Sequence, residues 1–94
     1  MQLEQIHTTP DPYAPYLLSQ AFRNLERVLV AGGSSLRRVI EVTIYLTSMR
    51  HFGKIVALRR QWFAPPYPAD TIVEVAALYA PEAMIEIEAI AAAG

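Results

Sequence analysis

Apolar side chains recur at helical steps in the first half of the chain. Leu18 is followed at 3, 4, 7, 10 and 11 positions by Ala21, Phe22, Leu25, Val28 and Leu29. Those positions form one helix face, with Gln20, Arg23, Asn24 and Arg27 on the wetter side. The spacing predicts a helix over about Leu17–Ala31. Gly32-Gly33 ends it, because a left-handed cap costs glycine nothing. The period then changes from helical to alternating. In Val39–Thr47, "VIEVTIYLT", Ile40, Val42, Ile44 and Leu46 fall on one side and Glu41, Thr43, Tyr45 and Thr47 on the other. This predicts a strand with one dry and one mixed face. Thr47 or Ser48 offers an N-cap hydroxyl for a second helix. Its stripe is Phe52, Ile55, Val56, Arg59 and Phe63, with Trp62 beside it, and Pro65-Pro66 stops it.

The C-terminal stretch "PPYPADTIVEVAALYAPEAMIEIEAIA" predicts two further strands, Thr71–Leu78 and Met84–Ile90, read as a hairpin around Pro81. Four carboxylates, Asp70, Glu74, Glu86 and Glu88, lie on or beside these strands, where acidic residues are disfavoured, so each needs a reason. Parity puts Met84, Glu86, Glu88 and Ile90 on one face. At the start, Leu3 and Ile6 suit a short edge strand. Pro10, Pro12 and Pro15 then predict an extended segment through residue 16, anchored by Tyr13 and Tyr16. The order (β)-α-β-α-β-β describes a two-layer α+β domain. Two amphipathic helices pack on one face of a three- or four-stranded mixed sheet, and its other face lacks a cover.

Ninety-four residues make a single domain spanning 1–94. Apolar residues are 53% of the chain and charged ones 18%, which is apolar for so small a domain. Some of that surface is expected to be buried against another chain, a homo-oligomer being the simplest case. With no cysteine there is no disulfide, thiolate nucleophile or cysteine metal site. No stretch approaches a membrane span and "MQLEQIHTT" does not read as a secretory signal, so a cytoplasmic location is expected. Net charge is −1, but all eight bases lie between Arg23 and Arg60, and after Arg60 come five acids and no base. Because the bases are spread around helical segments, a solvated face is the expected reading rather than a nucleic-acid stripe.

The runs "AGGSSLRRVIEVTIYLTSMRHF", "PADTIVEVAAL" and "IEIEAIA" resemble the RidA/YjgF family of reactive-intermediate deaminases, also labelled endoribonuclease L-PSP, over roughly residues 20–91. The resemblance implies a chorismate-mutase-like fold and a homotrimer. The uncovered sheet faces would meet in a central core, with small-molecule pockets between subunits. It also implies that Glu86 matches the carboxylate that orients the attacking water, a task requiring a base within hydrogen-bond reach. Thr71 and Ile72, in the same motif as Asp70, are candidate substrate contacts, and Tyr16 is matched to a pocket tyrosine.

The departures from the pattern carry as much weight. Active members read P-A-R-S where this chain reads P-A-D-T, so Asp70 occupies the position of the arginine that grips the substrate carboxylate. A charged hydrogen-bonded contact is worth roughly 1.5–3 kcal/mol, or about ten- to hundredfold in binding. The ordinary 2-imino acid should therefore be rejected. Family members also carry a strand pair with a pocket serine before the first helix. Here "APYLLSQAFRN" runs on as helix, although "SQAF" echoes the family's S-Q-A-V strand start. The expectation is a RidA-like protein without ordinary 2-imino-acid deaminase activity. The alternative is an imine or enamine hydrolase of altered specificity, in which Glu86 positions water and Asp70 meets a cationic group. A ribonuclease reading follows only from the family label.

Each candidate has a plainer reading. Glu86 could make a cross-strand hydrogen bond or an interface ion pair, and Asp70 could cap the turn after Pro68. Trp62, Phe63 and Tyr67 suit core or interface anchors. His7 and His51 have no partner at metal spacing, so neither a metal nor a cofactor is expected. Gly32-Gly33 lacks the setting of a phosphate loop.

Overall fold

The computed structural model describes residues 14–93. The expected edge strand at Leu3 and Ile6, together with His7 and Tyr13, lies outside the described residues. Helix α1 spans Ala14–Ala31 and starts earlier than its apolar stripe. Pro15, expected to prevent regular structure, sits in its first turn. Proline is tolerated there because the first N–H groups have no intrahelical acceptor to lose. The "SQAF" stretch is helical. At the other end, Ser34 N donates to Leu29 O at 2.8 Å and Gly33 N to Val30 O at 3.0 Å. Gly33 adopts φ +83°. These two bonds form the left-handed cap expected from the Gly-Gly pair.

A single 3₁₀ turn, Leu36–Arg38, leads into β1, Val39–Leu46. A second, Met49–His51, leads into α2, Phe52–Trp62. Ser48 caps that second turn by accepting from Arg50 N. Strands β2, Ala69–Glu74, and β3, Ile85–Ala91, follow. The sheet order is β2-β1-β3. The last two strands are therefore not a hairpin, because β1 lies between them. β1 runs parallel to β2, joined through the α2 crossover, and antiparallel to β3. β2 stops at Glu74, short of the expected Leu78. Its last rung, Val75 N to Leu46 O at 2.8 Å, uses the final residue of β1, and nothing continues the ladder beyond it.

The alternation expected in β1 fails at its first turn. Between Val39 and Glu41 the β1 register advances two residues while β3 advances one, from Ala91 to Ile90. Ile40 is the extra residue of a β-bulge. It is 60% exposed, whereas Val42, Ile44 and Leu46 are fully buried. Val39 takes the buried place instead. Both helices lie on the side of these buried residues. Leu18, Phe22, Leu25 and Leu29 of α1 join Ile55 and Leu58 of α2, Val39, Val42, Ile44 and Leu46 of β1, and Ile85 and Ile87 of β3 in one core. Phe22 stacks on Trp62 at 6.5 Å and meets Phe63 edge-on at 6.3 Å. Fully burying one such aliphatic or phenyl side chain contributes roughly 1.5–3 kcal/mol.

Candidate functional site

Register assigns each acidic residue to a face. Asp70 pairs with Val42, and Glu86 pairs with Tyr45. Val42 and Tyr45 are three positions apart in a strand that is regular beyond the bulge, so they point to opposite sides. Asp70 and Ile72 therefore belong to the helix-covered face. Glu86, Glu88, Thr71 and Ile90 belong to the open face with Thr43 and Tyr45. One chain does not bring Asp70 and Glu86 together.

On the covered face, Asp70 Oδ2 lies 2.8 Å from Arg59 Nε, with both side chains about three-quarters buried. Arg59 sits in the last turn of α2, where a cation also complements the negative end of the helix dipole. Its guanidinium carbon is 5.0 Å from the ring centre of Tyr67, a cation–π contact. The loop after α2, the helix end and the start of β2 thus converge on one guanidinium. Ile72 packs against the core beside its register partner Ile44. Glu74, the third residue of this series, accepts a hydrogen bond from Met49 N at 2.7 Å. That bond satisfies a free N–H at the start of the 3₁₀ turn before α2. An acidic residue on this strand thus serves a helix entrance.

The open face carries a different group. Glu86 is half-buried beside Tyr45, and Glu88 is exposed beside Thr43. The Tyr45 hydroxyl donates across the diagonal to Glu88 Oε1 at 3.2 Å. Desolvation raises the Tyr45 phenol above its ordinary pKa. The negative charge of Glu88, its hydrogen bond and the charge of Glu86 push it the same way. Thr71 is exposed on this face, opposite Thr43. Tyr16 lies in the first turns of α1, in the helix layer, and is 56% exposed. It is on the other side of the sheet from Glu86. Among the described residues no group of three or more histidine and acidic side chains is placed to hold a metal ion.

Two participants carry no sequence signal for these contacts. Helical spacing puts Arg59 on the apolar stripe of its helix, and alternation puts Tyr45 on a mixed strand face. The parity of β1 already put Tyr45 with Thr43 and Glu41. Only the sheet order shows that β3 lies alongside and delivers Glu86 and Glu88 to it.

The family model described as Endoribonuclease L-PSP matches residues 11–93. A RutC family protein of Pyrococcus horikoshii is 42% identical over 72 residues, covering 77% of this chain and 56% of that protein. A 2-iminobutanoate/2-iminopropanoate deaminase of Mus musculus is 37% identical over 76 residues, covering 80% and 55%. The chain thus spans about half the length of these curated relatives. Among solved structures, a yeast protein superposes with a TM-score of 0.87 at 30% identity, covering 100% of this chain and 77% of its own. RidA from an Antarctic Psychrobacter superposes with a TM-score of 0.79 at 28% identity, covering 93% and 67%.

Proposed function

The chain belongs to the endoribonuclease L-PSP family, the RidA/YjgF group, and from that premise we propose a homotrimeric small-molecule-binding protein that lacks ordinary 2-imino-acid deaminase activity. The observation that carries this reading is the Asp70–Arg59 pair. The position where the family pattern has a substrate-gripping arginine holds a carboxylate, and that carboxylate is already engaged by a cation of its own chain. A substrate carboxylate arriving there meets like charge. The loss of one charged bidentate contact corresponds to roughly ten- to hundredfold in binding.

The trimer is supported by the uncovered sheet face. Ile40 and Ile90 are both more than half exposed on it, at neighbouring positions. A pocket between subunits also suits the placement of Asp70 and Glu86 on opposite faces, since two chains can offer one residue each. Ammonia release from 2-iminobutanoate tests the proposal, with the mouse relative as the positive control. Release at a comparable rate refutes it. Mass in solution tests the assembly, and a stable monomer removes the intersubunit pocket.

A second reading keeps catalysis, with Glu86 positioning water for hydrolysis of a neutral or cationic imine or enamine. Its support is the half-buried setting of Glu86 beside Tyr45 on the face that a second subunit would cover. The pairing of Asp70 with Arg59 removes Asp70 as the partner of a cationic group, so this reading rests on Glu86 alone. Glu86→Ala should abolish turnover of a neutral imine while leaving the oligomer intact. Retained activity would dismiss Glu86 as the water-positioning base. Ribonuclease activity is not part of the proposal. Among the described residues His51 is the one histidine, so they supply no acid–base histidine pair.

A further inference from the structure

A groove of about 360 Å³ runs between the 3₁₀ turn before β1 and the loop that leaves α2. Its volume is at the lower end of the range of small-molecule sites, roughly 300–1,000 Å³. Trp62 and the rings of Pro65, Pro66 and Pro68 supply flat apolar wall, and Arg37 is the charged group on it. Arg37 also lines an adjoining depression with Arg38 and Ser35. No acidic residue lines either one, in a chain whose net charge is −1. The Trp62 ring is fixed by stacking on Phe22, and its Nε1 is buried, so the indole offers the groove ring surface and not a donor.

We propose that this groove is a second ligand site, one that takes a small aromatic carboxylate. The aromatic ring lies against the prolines and Trp62. The carboxylate pairs with Arg37, the charged group on the groove wall. Flat apolar wall with a single-sign rim selects a flat anion over a neutral or cationic molecule. The site is separate from the reading of the sheet faces given above, because neither Asp70 nor Glu86 lines it.

Trp62 is the one tryptophan of the chain, so its indole N–H gives a single assignable NMR signal. Benzoate titrated into the ¹⁵N-labelled full-length protein should shift that signal saturably. Benzyl alcohol, which keeps the ring and loses the charge, should bind about tenfold more weakly, as should benzoate to Arg37→Gln. Arg37 is exposed and on no core contact, so the variant should fold, which its amide spectrum verifies. The proposal is overturned if benzoate gives no saturable shift, as when another copy of the chain covers the groove. It is also overturned if benzyl alcohol or Arg37→Gln binds equally well, or if sodium chloride reproduces the shift. A negative result here leaves the ammonia assay unaffected, so failures of the two readings are distinguishable.

Discussion

The bulge in β1 makes Ile40 and Ile44 an informative pair for mutation. Simple alternation puts both on the dry face, so truncating either should cost the same. In the structure Ile44 is fully buried, flanked by Ile72 on one side and Ile87 on the other, and Ile40 is 60% exposed. Ile44→Ala removes three carbons from a closed core, for which the loss is about 2–5 kcal/mol. A domain of this size loses about 4–8 °C of Tm per kcal/mol, so a fall of at least about 8 °C is expected. Ile40→Ala forfeits mainly strand propensity at an exposed bulge position, under about 1 kcal/mol. Urea unfolding followed by far-UV circular dichroism measures both at dilute concentration, with equal m-values as the control. The bulge is refuted if Ile40→Ala comes within about 1 kcal/mol of Ile44→Ala under those conditions. Repeating the pair at higher concentration adds a second result. If the open faces meet in a trimer, the cost at Ile40 grows with concentration.

Three further outcomes follow from individual contacts. Gly33→Ala should destabilise by about 1–2 kcal/mol, read from the urea midpoint, because φ is +83° and an added methyl meets no atom within 4 Å, so backbone strain is the whole effect. Glu74→Ala should cost about 1 kcal/mol by removing the acceptor for Met49 N, with Glu74→Gln recovering most of it; equal losses would discard the cap. Tyr45 holds its proton more tightly when folded than when unfolded. Its contribution is therefore complete below the unfolded value, at about pH 10, and is lost as the pH rises through the folded one. Stability measured from pH 9 to 12 should fall less steeply in Tyr45→Phe than in the parent chain, and identical slopes would dismiss the Tyr45–glutamate coupling.

The candidate site was legible in outline because its residues belong to motifs written in consecutive positions. The frame around "PAD" and "IEIEAIA" could be recognised, and with it Glu86 and the anomaly of Asp70. The partners of those residues were not legible. Arg59 is eleven positions from Asp70, and Tyr45 is forty-three from Glu88. Nothing in local periodicity links residues that far apart. Helical spacing located Arg59 on a face, but the side chain of a long base can lie along apolar surface and still deliver its charge to a neighbouring strand.

By itself the sequence determined what depends on neighbours a few positions away: the α1 stripe, the Gly33 cap, the alternation from Val42 to Leu46 and the break at Pro65-Pro66. Each is set by the 3.6- and 2-residue periods or by one residue's backbone freedom. Tertiary structure alone decided that β1 lies between β2 and β3, that one extra residue turns Ile40 outward, and that Asp70 and Glu86 point to opposite faces. Those outcomes depend on which strands pair and in what register. A shift of one residue exchanges the two faces, and the pairing is chosen by burial summed over the whole core.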